Sequence, residues 1–209
     1  MLHIYVGPMY AGKTSKLIEM FNLNIDTKKV IIDYDLENNM KCYDGILKNH
    51  DELTCNTIKC KSLYDTINIY ECNGNLALSH DMTSVYSKSY NTTLHGELFK
   101  IPDKILFSND IYINEAQFYP DLYEFVLEML KKKKNIYLYG LDGDFQQKKI
   151  GRILDLVPYC DTICKLKAHC TRCNKDAIYS HRITSSKEQY LPDESAYIPL
   201  CRSCFYNII

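Results

Sequence analysis

Short apolar runs alternate with stretches of amphipathic spacing along much of the chain, and this pattern predicts an α/β fold. Apolar runs typical of buried parallel strands cover residues 2–6, 30–32, 111–113, 135–141 and 162–166. Apolar residues at helical spacing predict helices over residues 15–26 and 122–133, and a further helix around Ile153 that stops near Pro158. Such alternation of strands and helices indicates a parallel sheet with right-handed crossovers.

The stretch between residues 38 and 110 has no clear periodicity. A helix or a strand is predicted over residues 58–70, and a long polar excursion follows it, notably over residues 73–93. Two His-Asp pairs, His50-Asp51 and His80-Asp81, lie in this stretch. A histidine beside an aspartate is compatible with a catalytic dyad, but each pair is better interpreted as a turn, which aspartate favours.

The first strand runs into a glycine-rich loop that satisfies G-x-x-x-x-G-K-[ST] at every fixed position. Its glycines allow backbone N–H groups to face phosphate oxygens at the start of a helix, where the helix dipole adds to the attraction. Lys13 can then reach the β- and γ-phosphates, and the Thr14 hydroxyl can bind Mg²⁺. The alternative is a simple turn between strand and helix. We predict a nucleotide site formed by Gly7, Pro8, Met9, Tyr10, Ala11, Gly12, Lys13 and Thr14.

Composition and charge exclude several classes of protein. The chain has 209 residues, of which 46% are apolar, and a net charge of −1, so no overall attraction to nucleic acid or anionic membranes is expected. No apolar run approaches the ~20 residues that span a bilayer, and the first strand leaves no room for a signal peptide. We therefore expect a cytoplasmic protein without membrane or nucleic-acid partners.

Four of the ten cysteines form two C-x-x-C pairs, which predict a structural zinc site. A disulfide framework or redox pairs would be the alternative, but a nucleotide loop indicates a reducing compartment. The 27 residues between the pairs suggest that the metal fixes the base of a long loop. The expected ligands are Cys170, Cys173, Cys201 and Cys204. We expect two domains, a nucleotide-binding α/β domain over residues 1–167 and a zinc-binding domain over residues 168–209.

Three further residues follow predicted strand ends, where open α/β sheets bind ligands. Glu115 follows the third strand and is placed to take a proton from a hydroxyl or a water, unless it is a solvated loop residue. Phe118 and Phe145 follow two different strands. Their spacing is equally consistent with stacking on a planar base and with packing in the core.

Four segments together resemble one family, the zinc-containing thymidine kinases of cells and viruses. They are GPMYAGKT, INEAQFYPDLYEF, LDGDFQQKKIG with LVP, and the two cysteine pairs. The resemblance implies a RecA-like P-loop parallel sheet with a small zinc-binding domain, whose lasso loop closes over thymidine. It also implies transfer of the ATP γ-phosphoryl group to the thymidine 5′-hydroxyl, an Mg²⁺ cofactor, a homotetramer and inhibition by dTTP.

The resemblance also implies roles for individual residues. The catalytic base would be Glu115, and the residues near the nucleotide would include Asp35, Glu37, Asn114 and Gln117. Thymine contacts would come from Met9, Phe118, Leu141 and Phe145, which favours base binding for the two phenylalanines. The lasso would span residues 187–197, with base contacts from the main chain of Glu188, Gln189, Tyr190, Leu191 and Pro192, a further contact from Tyr197, and matching positions at Ser180 and Arg182.

The sequence departs from the family pattern at several positions. Asn114 stands where the family has the aspartate that helps to hold Mg²⁺, so we expect weaker metal binding. The family's arginine after the second strand is missing, Pro192-Asp193 replaces a Gly-Gly pair, Asn49 replaces a threonine, and residues 68–108 form a longer connection. Two alternatives follow: a nucleotide-binding protein with weakened catalysis, and a zinc-containing ATPase acting on nucleic acid.

Overall fold

A seven-stranded sheet forms the centre of the computed structural model, which describes residues 1–35, 42–66 and 100–207, with the backbone alone at 100–103. The strands are β1 (Leu2–Val6), β2 (Lys29–Tyr34), β3 (Cys42–Lys48), β4 (Thr54–Cys60), β5 (Asp110–Ile113), β6 (Asn135–Gly140) and β7 (Thr162–Lys165). Their order is β3-β4-β2-β5-β6-β1-β7. Every pair is parallel except β3 with β4, which confirms the predicted α/β class and mostly parallel sheet.

Helices cover both faces of this sheet. They are α1 (Lys13–Leu23), α2 (Lys100–Phe107) and α3 (Leu122–Lys131), and a 3-10 helix covers Ile153–Tyr159. Successive side chains of β5 point to opposite faces of the sheet, as in any β-strand. Ile111 and Ile113 belong to the larger apolar core, which α3 covers, while Tyr112 belongs to the smaller core beneath α1.

Two elements differ from the sequence expectation. Residues 58–70, predicted as one helix or strand, contain the end of β4 and a 3-10 helix over Tyr64–Thr66, and residues 67–70 lie outside the described part. The hairpin of β3 and β4 and helix α2 were not predicted. The polar excursion over 73–93, with His80-Asp81, lies outside the described residues.

The C-terminal part has an apolar core of its own, which Ala11 of the phosphate loop packs against. It contains β8 (Ala168–His169), β9 (Asp176–Ala177), β10 (Tyr179–Arg182), β11 (Tyr197–Leu200) and α4 (Arg202–Tyr206). Ala168, Leu200 and Phe205 lie in this core beside two of the predicted zinc ligands. β10 and β11 form an antiparallel hairpin, so the predicted lasso is the connection that leaves β10 and returns to β11.

Candidate active site

The phosphate loop connects β1 to α1 and opens into a pocket. Gly12 adopts φ 72, a left-handed conformation that suits glycine, immediately before α1 begins at Lys13. Lys13 is 8% exposed, and its Nζ donates to the carbonyl oxygen of Pro8 at 2.8 Å. Burial lowers the pKa of Lys13, while the nearby carboxylates of Glu115, Asp142 and Glu194 oppose this shift. The loop residues Met9, Tyr10, Ala11, Gly12, Lys13, Thr14 and Ser15 line the pocket.

Glu115 lines the same pocket from the end of β5, and a single strand, β6, separates β5 from β1. Its backbone has φ 48, a left-handed value that costs a non-glycine residue about 1 kcal/mol or more. Burial raises the pKa of Glu115, and the charge of Lys13 and a hydrogen bond from Gln117 counteract it. The structure thus brings the predicted base next to the predicted phosphate lysine.

Gln117 fixes the Glu115 carboxylate rather than pointing toward the phosphate loop. Its Nε2 donates to Glu115 Oε2 at 2.7 Å, and its Oε1 accepts from the backbone N–H of Leu141 at 2.9 Å. Gln117 is 3% exposed and does not line the loop pocket. The amide therefore connects the end of β6 to the candidate base.

Asp35, directly after β2, is not among the residues that line the loop pocket. Asp35 is buried, and its Oδ2 accepts from the Tyr43 hydroxyl at 2.9 Å. Glu37 lies outside the described residues. Asn114, immediately after β5, is 4% exposed and donates from Nδ2 to Asp33 Oδ1 at 2.9 Å. Asp33 was not predicted as a site residue, because its contact with Asn114 depends on strand order.

Beside Glu115, an apolar cluster gathers every residue that was expected to contact thymine through an apolar or aromatic side chain. Met9, Leu141 and Tyr197 are buried in it together with Ile150 and Ala196, and Phe118, Phe145 and Leu191 pack against it. Ile150 and Ala196 were not predicted, since no sequence motif marks them. The cluster joins the phosphate loop, two strand ends and the lasso. Phe118 and Phe145 therefore pack against the same cluster, although they follow different strands.

Arg182 organises the lasso from the end of β10. Its guanidinium donates to the carbonyls of Ser186 at 3.2 Å and Gln189 at 3.3 Å, and also to the Glu188 carbonyl and the Tyr197 hydroxyl. It lies over the ring of Phe145 at 4.0 Å, and its buried Nε has no hydrogen-bond partner among the described residues. Arg182 is 5% exposed, so a cation is buried among carbonyls and aromatic faces.

Several lasso groups expected to contact a base are hydrogen-bonded within the protein. The carbonyls of Glu188 and Gln189 bind Arg182, and the N–H of Leu191 donates to the Tyr197 hydroxyl at 2.9 Å. Tyr190 packs its ring edge-on against Phe118, with centroids 4.4 Å apart, and burial raises its pKa to about 12. Pro192 is exposed, and it contributes no side chain to the cluster.

Two hydrogen bonds between described residues also join the C-terminal part to the phosphate loop. Ser180 of β10 accepts a hydrogen bond from the backbone N–H of Met9 at 2.9 Å, and the Tyr10 hydroxyl donates to the Glu194 carbonyl at 2.8 Å. His50 and Glu194 also line the loop pocket, with His50 Nε2 3.7 Å from Glu194 Oε2. His50 lies in a turn, as predicted, but its position at the pocket was missed because it depends on the unpredicted hairpin.

The four predicted zinc ligands converge. The sulfur atoms of Cys170, Cys173, Cys201 and Cys204 all lie within 4.8 Å of one another, and those of Cys173 and Cys201 are 3.6 Å apart. A tetrahedral zinc ion with Zn–S distances of about 2.3 Å spans such a separation. Burial alone would raise the pKa of the Cys170 thiol, but hydrogen bonds from backbone N–H groups lower it to about 6. The donor set therefore fits a structural zinc.

Comparison with known proteins decides the family. The family model described as thymidine kinase matches residues 1–75 and 70–205. A thymidine kinase from sheeppox virus is 30% identical over 206 residues, covering 98% of this chain and 96% of the viral protein. The chain belongs to the thymidine kinase family. The cytosolic thymidine kinase of chicken, Gallus gallus, is 26% identical, with 99% of this chain and 77% of that protein covered.

Membership of the thymidine kinase family agrees with the geometry of the site. A nucleoside kinase needs a phosphate-binding pocket, an acceptor base and a place for the nucleoside ring. The loop pocket, Glu115 and the apolar cluster supply one candidate for each, and they adjoin one another. Among the described residues, no helix is both long and apolar enough to cross a bilayer.

Proposed function

We propose that this protein is an ATP-dependent thymidine kinase, which transfers the γ-phosphoryl group of ATP to the 5′-hydroxyl of thymidine to give dTMP. The observation that carries the proposal is the position of Glu115. It borders the phosphate-loop pocket and lies beside the apolar cluster, close to where donor and acceptor would have to meet. The family relationship over nearly the whole chain supports the same activity.

The donor side of the site is the phosphate loop. Its backbone N–H groups and the start of α1 would bind the phosphate oxygens, and Lys13 would exchange its bond to the Pro8 carbonyl for one to the β- and γ-phosphates. Thr14 and Asn114 would hold Mg²⁺, which neutralises charge between those phosphates when bound. A buried lysine suits this task because its charge is unscreened by water.

The acceptor side depends on Glu115. Its carboxylate would take the proton of the thymidine 5′-hydroxyl as that oxygen bonds to the γ-phosphorus. The bond from the γ-phosphorus to the bridging oxygen breaks, and ADP leaves with the electron pair. Because Gln117 holds Glu115 Oε2 at 2.7 Å, the other carboxylate oxygen is available for the hydroxyl. Positioning of this kind provides much of the catalysis in phosphoryl transfer.

The thymine ring would occupy the apolar cluster. Met9, Phe118, Leu141 and Phe145 would contact its faces and methyl group, and main-chain groups of residues 188–192 would bond its polar edge. In this structure the carbonyls of Glu188 and Gln189 bind Arg182. We therefore propose that Arg182 shapes the lasso, and that main-chain groups of Tyr190 to Pro192 other than the Leu191 N–H, which bonds Tyr197, contact the base.

Further proposals rest on the family resemblance. Cys170, Cys173, Cys201 and Cys204 would bind a structural zinc that stabilises residues 168–209 as a second domain beside residues 1–167. Residues such as Asp35 and Glu37 would line the nucleotide side. We also propose a cytoplasmic location, a homotetramer and feedback inhibition by dTTP.

A nucleoside panel tests the proposal against its alternatives. The purified full chain is mixed with ATP, Mg²⁺ and thymidine, deoxyuridine or deoxycytidine, and nucleoside monophosphate is measured. We expect dTMP, with thymidine preferred over deoxycytidine. ATP binding without any product would favour a nucleotide-binding protein with weakened catalysis, for which Asn114 is the specific observation. ATP hydrolysis stimulated by DNA and lost at high salt would favour the nucleic-acid ATPase.

A further inference from the structure

Asp33, in the C-terminal part of β2, is the only carboxylate among the described residues that accepts a hydrogen bond from the Asn114 side chain. Its Oδ1 accepts from Asn114 Nδ2 at 2.9 Å, and its Oδ2 pairs with Lys59 Nζ of β4 at 2.6 Å. Both Asp33 and Asn114 are 4% exposed. Three neighbouring strands thus contribute a cation, a carboxylate and an amide to one buried network at the edge that bears Glu115.

The amide of Asn114 has a defined direction in this network. A carboxylate accepts only, so the group that faces Asp33 must be the amide nitrogen. The amide oxygen lies on the opposite side of Cγ, and its side chain makes no other hydrogen bond within the described part of the chain. Asn114 directly precedes Glu115, which lines the phosphate-loop pocket, so this amide lies at the edge of the sheet that carries the pocket.

Lys59 keeps the carboxylate in place. Asp33 and Lys59 are register partners on the parallel strands β2 and β4, and the Lys59 side chain is 24% exposed. A methyl group on Gly45 would lie 2.7 Å from Lys59 Cγ, so the glycine of β3 leaves the space that the lysine stem fills. The negative charge of Asp33 is therefore balanced inside the sheet and can act as a fixed hydrogen-bond acceptor.

We propose that Asp33 is a positioning residue of the nucleotide site, which holds Asn114 so that its amide oxygen faces the Mg²⁺ of bound Mg·ATP. This inference rests on the proposed kinase function. It adds how an asparagine at position 114 would be oriented to bind Mg²⁺. Carboxylate and amide oxygens are both suitable Mg²⁺ ligands, but an amide must present its oxygen and not its nitrogen. Asp33 fixes this orientation, because it accepts the hydrogen bond from the amide nitrogen.

The network also predicts how the two positions depend on each other. Asn114→Asp alone would place two buried carboxylates within hydrogen-bond distance, where they repel one another. Asp33→Asn alone would remove the carboxylate that orients Asn114 and the negative charge beside Lys59, and would keep only an amide oxygen as an acceptor for Lys59. Changing both positions at once exchanges carboxylate and amide and preserves one charge and one hydrogen bond.

The test measures the affinity of a fluorescent ATP analogue by anisotropy, once with Mg²⁺ and once with EDTA, together with the melting temperature. We expect Asp33→Asn to reduce the gain in affinity that Mg²⁺ provides by about tenfold, as is common when the partner of a metal ligand is lost. Affinity in EDTA should not fall, since the phosphate loop is unchanged. Asn114→Asp should lower the melting temperature. The double variant, Asp33→Asn with Asn114→Asp, should recover both the melting temperature and the gain in affinity that Mg²⁺ provides.

A matched control lies at the other end of β5. Asn24 donates from Nδ2 to Asp110 Oδ2 at 3.0 Å, and Asp110 is 5% exposed at the strand's first residue. Asn24→Asp creates a similar carboxylate contact at the opposite edge of the sheet, so it should lower the melting temperature and leave the effect of Mg²⁺ unchanged. This separates a loss of stability from a loss of metal-dependent binding.

Two results would overturn the inference. One is a folded Asp33→Asn variant whose affinity responds to Mg²⁺ as strongly as the wild type; the other is a folded double variant no better than either single variant. The proposed function fails separately. A wild-type protein that binds Mg·ATP through this network but phosphorylates no nucleoside would refute the kinase and leave the role of Asp33 intact.

Discussion

At the scale of single residues, the environment of Glu115 determines what its carboxylate can do. Burial raises its pKa, whereas Lys13 and Gln117 favour the charged form. A carboxylate held in this balance is a better proton acceptor than a solvated glutamate, because a general base is most effective when its pKa approaches the working pH. The strained backbone at φ 48 is consistent with a residue retained for chemistry rather than stability.

Replacing Glu115 with glutamine should reduce kcat by a factor of about 10²–10⁴, which is the usual contribution of a general base. The substitution keeps the shape of the side chain and removes a buried charge, so the melting temperature at neutral pH should stay the same or rise. Steady-state kinetics and thermal melting measure the two effects. Glu19→Gln on the exposed side of α1 is the control, and full turnover by the Glu115 variant would exclude the base assignment.

The pH dependence of kcat/KM should show an acid limb above the ordinary glutamate value of 4.5, because the pKa of Glu115 is raised. Activity is lost as pH falls through this raised pKa, since protonation removes the base. The stability effect has the opposite sign: the contribution of Glu115 is fully present below 4.5 and is lost as pH rises through its folded pKa. An acid limb at or below the ordinary value would contradict the burial argument.

At the scale of elements, the lasso is held by Arg182 through carbonyl groups and aromatic faces. We expect Arg182→Met to raise the KM for thymidine by about tenfold or more, since one charged hydrogen bond is worth about 1.5 kcal/mol or more. The KM for ATP should change little, because the hydrogen bonds of Arg182 go to the lasso and Tyr197 and not to the phosphate loop. Saturation curves with thymidine and with ATP measure the two KM values separately.

Arg152 provides the matched control for Arg182. It lies over the Tyr123 ring at 4.1 Å, compared with 4.0 Å for Arg182 over Phe145, but its pairs with Glu124 and Asp155 are at the surface. Arg152→Met should leave both KM values unchanged, as surface ion pairs contribute little. An equal rise in the KM for thymidine in both variants would indicate a general loss of stability instead of a role in the lasso.

Predictability differed between elements for a physical reason. The buried strands β1, β2 and β5 are continuous apolar runs, which a central parallel strand requires, and all were predicted. β3 is an edge strand in which only Cys42 and Leu47 are buried and Gly45 stands in the middle, and its pairing with β4 depends on tertiary contacts. The hairpin, and with it the position of His50 at the pocket, could not be derived from local pattern.

The site residues also differ in whether a local motif or a long-range contact defines them. The phosphate loop and the cysteine pairs are local motifs, so the sequence predicted their positions, and the structure brings the four sulfurs together. The pairing of Asp33 with Asn114 joins residues that are 81 positions apart, and the bridge from Leu141 to Gln117 spans 24. Such contacts depend on strand order, which no local motif encodes.

At the scale of the whole molecule, the zinc site should determine whether the lasso is ordered. We expect about one zinc ion per chain by metal analysis. Removing it with a chelator should unfold the small unit around Cys170 and Cys201, whose core is only a few residues. The melting temperature and the affinity for thymidine should both fall and return when zinc is restored. Cys55 on β4 is not part of the four-cysteine cluster, so a Cys55→Ser control should bind zinc like the wild type. Chelation without effect would argue against a structural metal.

The central claim is that the phosphate loop and Glu115 act on one substrate pair, ATP and thymidine. The most direct measurement is a single-turnover reaction of excess protein with γ-labelled ATP and thymidine, followed by separation of the nucleotides. The account predicts label on the 5′-oxygen of dTMP with the wild type, and a rate lower by at least about a hundredfold with Glu115→Gln. Label that stays in ATP, or appears as free phosphate while thymidine is untouched, would contradict it.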